Sequence, residues 1–229
     1  MAGARARVRD TQRETRACKE GGNGHKACRN PIFPQVEVLD FCGPFEVFSV
    51  TRLNEERRRE EPSPFEVLLV AESAEPVVAT GGLRVIPDTP IDGCAPLHVL
   101  VVPGGQGTRS EIKNQRLLEW IADRGKTVET LASVCTGAML LGQAGLLDGR
   151  CATTHWRSLP WLRESFPTVT VEEKLHVVED GRVLTSAGIS AGIDMALRVV
   201  ARYHGEAIAR ATARHMEYRY QPEDNSRRI

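Results

Sequence analysis

No apolar run in this sequence approaches the roughly 18 residues that a membrane-spanning helix needs. The longest clear ones, such as Val99–Val102, are strand-sized, so no membrane span is expected. The opening MAGARARVRD holds no apolar export core, which makes the cytoplasm the expected compartment. Net charge is also missing: 30 Lys and Arg balance 30 Asp and Glu. A whole-domain basic field for nucleic acid is therefore absent, and no nucleic-acid partner is expected. No C-x-x-C pair occurs among the six cysteines (Cys18, Cys28, Cys42, Cys94, Cys135 and Cys151). Cys18 and Cys28 flank His25 without the second half of a zinc knuckle, so neither a disulfide framework nor a metal site is expected. No G-x-x-x-x-G-K-[ST] or G-x-G-x-x-G run is present, which removes the common phosphate-binding loops. What remains is a globular composition, 41% apolar and 26% charged over 229 residues. That length suits one domain whose core needs no disulfide or structural metal.

Charge is unevenly spread. Residues 1–30 carry eight Lys or Arg against three acids, leaving this segment at +5 and the rest at −5. The segment has almost no large apolar residues and contains the GGNG stretch at 21–24, so it reads as a basic, flexible tail. A nucleic-acid-touching arm is the alternative reading, and a misassigned start is a third.

From residue 31 onward, strand-like and helix-like segments alternate. Strands are expected at 65–71, 83–86, 97–102, 127–134, 151–154, 169–171, 175–178 and 182–186. Helices are expected at 44–60, 111–124, 136–144, 159–165, 191–203 and 206–218, with Pro44 as a first helical residue and 221–229 as a second tail. Short buried strands separated by helices imply βαβ units and a mostly parallel sheet. Ligands of such folds bind beyond the carboxyl ends of the strands. Three stretches stand there: PGGQGTR (103–109), SVCTGA (133–138) and TTHW (153–156).

Cys135 falls at a strand-to-helix junction, the geometry of a nucleophile elbow. Amides opening the following helix would stabilise a thiolate there; the alternative is an ordinary buried cysteine. The glycines Gly104 and Gly105 let backbone N–H groups approach a small ligand in an oxyanion-type pocket, or simply form a turn. His155 is either a base or pocket wall, or a histidine bonded to backbone. Asp40, just ahead of Gly43 and Pro44, is either a helix-entry carboxylate or a general acid–base facing the thiol, with Glu46 as its competitor. Trp156 reads as core or pocket lid, and His98, His176, His204 and His215 read as structural.

Taken in order, LDFCGPFEVF, VVPGGQGTR, LASVCTGAMLL, GLLDGRCATTHW and TSAGISAGIDMAL resemble the ThiJ/PfpI superfamily, and within it the isonitrile hydratase branch. The resemblance covers about residues 32–220. It implies a flavodoxin-like three-layer α/β sandwich, with the cysteine on the elbow and a homodimer as the usual assembly. It also implies a cysteine-dependent small-molecule enzyme. Carried over by motif, Cys135 attacks the isocyanide carbon, Asp40 shuttles protons, and Thr136 supports that aspartate. Gly104 and Gly105 help bind the intermediate and His155 lines the site. No metal or organic cofactor is called for. The protease-like branch carries a histidine directly after the nucleophile, where this chain has Thr136, so peptidase activity is not expected. The related AraC-type regulators continue into a helix-turn-helix domain, while this chain stops shortly after its last helix, so regulation of DNA is not expected either. A glyoxalase- or deglycase-like enzyme using Cys135 with Asp40 or Glu46 and His155, and a non-enzymatic sensor oxidised at Cys135, are the alternatives. One departure concerns the first strand of the family, whose place holds the polar GGNGHKACRN; either a poor strand forms there or none does.

Overall fold

A computed structural model of the chain describes residues 25–227. In chain order its elements are β1 (Lys26–Pro31), α1 (Val38–Val50), β2 (Phe65–Ala71), β3 (Val77–Val78), β4 (Arg84–Val85), β5 (Thr89–Pro90), β6 (Val99–Val102), α2 (Thr108–Glu111), α3 (Gln115–Thr127), β7 (Thr130–Val134), α4 (Gly137–Gln143), β8 (Cys151–Ala152), α5 (Leu159–Ser165), β9 (Thr170–Val171), β10 (Val177–Asp180), β11 (Val183–Ser186), α6 (Ala191–His204) and α7 (Glu206–His215). Seven strands form one sheet in the order β10-β11-β7-β6-β1-β2-β5, and only the β10–β11 pair is antiparallel. The expected α/β sandwich with a mostly parallel sheet is therefore the fold.

Alternation along the central strands makes its two cores. Leu100, Val102 and Leu131 face a layer containing Trp120, Ile121, Met139 and Leu140 from α3 and α4. Val99, Val101, Ala132 and Val134 face Phe48, Met195, Leu197 and Val200 from α1 and α6. Strands covered on both faces carry apolar residues at successive positions, as these do. No helix among the described residues is long and apolar enough to cross a membrane.

Three expectations need correction. Of the two alternatives for the first strand, the strand forms, taking the end of the expected 1–30 tail: Lys26–Pro31 is central, pairing with β2 along its whole length and with β6 at Cys28 and Arg29. Two ready-made neighbours supply the ladder, and the polar side chains are accommodated individually. Buried Arg29 donates to the Cys28 carbonyl (2.9 Å) and reaches the Glu66 carboxylate (3.1 Å). Buried Asn30 donates to the Phe41 carbonyl (3.3 Å). The remainder of the expected tail, 1–24, lies outside the described residues.

The first helix starts at Val38, six residues before Pro44, and stops at Val50. Phe41, Pro44, Val47 and Phe48 give that span a buried face. The charged run after it has no such face; instead Arg52 and Arg58 donate to the Ser49, Thr51 and Val50 carbonyls, satisfying the helix end. Finally, residues 221–227 are docked rather than a free tail. Ser226 bridges to Leu175, and the Asn225 side chain exchanges hydrogen bonds with the Val177 backbone (2.8 and 3.0 Å).

Candidate active site

The sheet order reverses at β1, with β2 added on one side and β6 and β7 on the other. Carboxyl-end loops on either side of such a point diverge and leave a crevice. The segments after β1, β6, β7 and β11 converge there. Val36 bridges Gly105, the Glu37 N–H donates to the Gly104 carbonyl (2.9 Å), and the Gly107 N–H donates to the Gln35 carbonyl (3.1 Å).

Cys135 occupies the turn between β7 and α4 with φ +55°, in the left-handed region that a side-chain-bearing residue adopts only when its surroundings over-determine it. Gly137 packs so closely on the Val102 carbonyl that a Cβ would collide with it, which is why a small residue opens α4. The elbow is held at both backbone groups. The Cys135 N–H donates to the Ala187 carbonyl (3.1 Å), and its own carbonyl accepts from the Thr154 hydroxyl (2.7 Å).

Asp40, in the first turn of α1, has no exposed surface. Its Oδ2 accepts from the Gly104 N–H (3.0 Å), its buried Oδ1 has no hydrogen-bond partner, and the Cys135 thiol stands near enough for the two groups to shift one another's pKa. Pro44 has no N–H to give the Asp40 carbonyl four residues earlier, so that carbonyl lacks its usual partner within α1. Burial drives the Asp40 carboxyl up from 3.8 to about 7; the Gly104 amide opposes that rise and the Glu37 charge adds to it. Burial likewise pushes the Cys135 thiol up to about 12, reinforced by Asp40 and opposed by the amides of Thr136 and Ile189. The expectation that the helix amides would favour a resting thiolate is thus overturned. Desolvation and a carboxylate neighbour outweigh a few backbone donors.

The other expected residues are close by, with altered parts. The Thr136 hydroxyl accepts from the Gly105 N–H (2.9 Å) and sits 3.0 Å from the Thr108 hydroxyl. It therefore reaches Asp40 indirectly, by fixing the loop whose Gly104 amide holds the carboxylate. An amide has one proton. In this structure Gly104 is committed to Asp40 and Gly105 to Thr136, so these two amides, expected to help bind an intermediate, hold the catalytic candidates. Gly105 is required at φ +130°, where a Cβ would run into the backbone of Gln35 and Glu37. The His155 ring packs against Gly188, leaving no room there for a Cβ, and its Nδ1 accepts from the Arg157 N–H (3.3 Å). Burial, with Arg157 and Arg227 nearby, lowers its pKa, so it is a neutral wall behind the Gly188 turn. Glu46 is exposed on α1 and does not compete with Asp40.

Sequence reasoning missed Ile189. This β-branched residue has φ +55° and an exposed side chain, and its N–H lies near enough to lower the pKa of both the Asp40 carboxyl and the Cys135 thiol. The small-residue run SAGISAG after a strand was its only signal.

The DJ-1/PfpI family profile covers residues 31–202. The chain belongs to the DJ-1/PfpI family. Isonitrile hydratase of Pseudomonas putida is 35% identical over 188 residues, covering 82% of this chain and 76% of that one. The transcriptional regulator GbdR of Pseudomonas aeruginosa is 30% identical over 154 residues, and the match spans 67% of this chain and 41% of the regulator. Among solved structures, a ThiJ/PfpI family protein from Pseudomonas syringae superimposes with a TM-score of 0.76 at 30% identity, covering 91% of this chain and 85% of that one. The DJ-1/PfpI fold thus serves relatives named as an enzyme and as a regulator, and the choice between them rests on site chemistry.

Proposed function

We propose that this DJ-1/PfpI protein hydrates small isocyanides to N-substituted formamides, with Cys135 as nucleophile and Asp40 as proton shuttle. The observation that carries the reading is the buried Asp40–Cys135 pair, whose carboxyl is poised at about 7. A group near neutrality is suited both to take and to give a proton at neutral pH. Because the thiol is held protonated, attack and proton transfer must be coupled. Asp40 accepts the thiol proton as sulfur bonds to the terminal isocyanide carbon, then delivers it to that carbon, giving an enzyme-bound thioimidate. Asp40 next activates water, which adds across the C=N bond with its proton passing to nitrogen. The C–S bond then breaks, the hydroxyl proton returns through Asp40 to sulfur, and the formamide leaves. Thr136 and the Gly104 amide keep Asp40 in register, and the neutral His155 walls the site. The identity to isonitrile hydratase supports this substrate class. A homodimer in the cytoplasm belongs to the same reading.

Two features weigh against the alternatives. His155 is turned to Gly188 and Arg157 rather than to the thiol, which leaves aldehyde chemistry without its base. A thiol pushed up to about 12 is a poor spontaneous oxidation sensor. The test is formamide production from an alkyl or aryl isocyanide. Turnover by the wild type that is abolished in Cys135→Ala and Asp40→Asn supports the proposal. Turnover surviving in Cys135→Ala refutes covalent catalysis, and a folded wild type that turns over no isocyanide refutes the substrate class.

A further inference from the structure

The elbow's strain has to be supported from outside the turn, and its support leads to a segment that no catalytic motif includes. From the Cys135 N–H, hydrogen bonds run to the Ala187 carbonyl (3.1 Å), from the Ala187 N–H to the His176 carbonyl (2.8 Å), and from the His176 N–H to the Asn225 carbonyl (2.9 Å). From the Cys135 carbonyl the path goes to the Thr154 hydroxyl (2.7 Å), whose residue's carbonyl accepts from Arg227 Nη1 (3.1 Å). Both backbone groups of the nucleophile are thus tied, by separate routes, to residues 225–227.

Arg227 is the more committed of the two anchors. Its Nη2 donates to the Thr153 hydroxyl, its Nε to the Glu173 carbonyl (2.6 Å), and its main-chain N–H to the Lys174 carbonyl (2.7 Å). A planar guanidinium with five fixed donors can join these groups at once, and no other side chain can. Further back, the Tyr218 hydroxyl donates to Asp194 Oδ2 (2.7 Å), which also meets His176 Nε2 (3.1 Å), so the start of the segment grips the same base.

We propose that residues 218–227 form a strap that holds the Cys135 elbow in its strained conformation, with Arg227 as its principal positioning residue. The strap touches neither the thiol nor Asp40; it acts through Thr154, His176 and Ala187. The inference requires Cys135 to be the reactive group and does not depend on which substrate it attacks.

The test is site-resolved alkylation of Cys135 by iodoacetamide from pH 6 to 10, read by mass spectrometry, in the wild type, Arg227→Gln and Arg227→Lys. Relaxing the elbow admits water to the thiol and loosens its contact with Asp40. In Arg227→Gln we expect alkylation of Cys135 at pH 8 to rise about tenfold, as for a thiol returning toward its ordinary range, with Cys42 and Cys151 unmoved. Arg227→Lys, keeping the charge but not the fork, shows a smaller rise in the same direction. If isocyanide turnover is observed, kcat falls with little change in KM. A lower thermal midpoint with an unmoved Cys135 profile overturns the proposal, because the strap would then be only a brace for the fold. Should Arg227→Gln fail to fold, Arg227→Lys alone decides by the same readout. Because no isocyanide enters the alkylation assay, failure of the hydration reading and failure of the strap are told apart.

Discussion

Replacing Asp40 by asparagine removes a charge from a position with no exposed surface while preserving shape and the acceptor for the Gly104 amide. The carboxyl's affinity for its proton is raised by burial from 3.8 to about 7. For an acid raised in the folded state, folding favours the protonated form. The group therefore adds stability at low pH, and that stability is lost as pH climbs from 3.8 through about 7. Integrating the two titrations between pH 5 and pH 8 gives a loss of about 2–3 kcal/mol from this residue alone. Asparagine does not titrate. Urea unfolding of wild type and Asp40→Asn at pH 5, 6, 7 and 8 should therefore show the variant gaining on the wild type by about 2–3 kcal/mol across the range, with most of the change between pH 5 and 7. The more stable variant should also be the inactive one, because the cost of holding that carboxylate is what keeps a proton shuttle near neutrality. Two stability curves that stay parallel in pH would refute the reasoning, since Asp40 would then titrate like an ordinary surface carboxylate.

Other outcomes follow from single contacts. Thr136→Val leaves the Gly105 N–H without its acceptor in a partly buried loop, which should lower stability by about 1 kcal/mol and reduce turnover through misplaced Asp40; urea unfolding and formamide assays check both. Gly105→Ala forces a side chain into a φ of +130° against the Gln35 and Glu37 backbone; a clear drop in thermal midpoint is expected, and an unchanged midpoint would show that the loop adapts. Asn30→Val removes a buried amide whose Oδ1 finds no partner; it should raise the midpoint, because an unsatisfied buried acceptor costs about 1–3 kcal/mol. If formamide production is found, its kcat/KM should rise with pH through about 7 as Asp40 becomes the base, and a flat profile would remove Asp40 from the shuttle role.

What local sequence could determine, it did. Apolar runs such as VLVV and TLASV are short, and they end at glycine-rich or small-residue turns. That pattern alone fixes parallel strands, the crevice at their carboxyl ends and a cysteine on a sharp strand–helix junction, because each depends on neighbours a few positions away. Tertiary structure decided the rest. Polar Lys26–Pro31 became a central strand because β2 and β6 flank it, a fact absent from its own composition. The glycine amides went to Asp40 and Thr136 because the segments after three different strands meet there. The thiol and the carboxyl moved up rather than down because burial, contributed by residues from all over the chain, outweighs the local helix amides. Likewise Arg227 carries no signal of its own, and Ile189 only the small-residue run around it. They matter because folding brings residues more than fifty positions away to the two sides of Cys135, and only there do their hydrogen bonds acquire a partner.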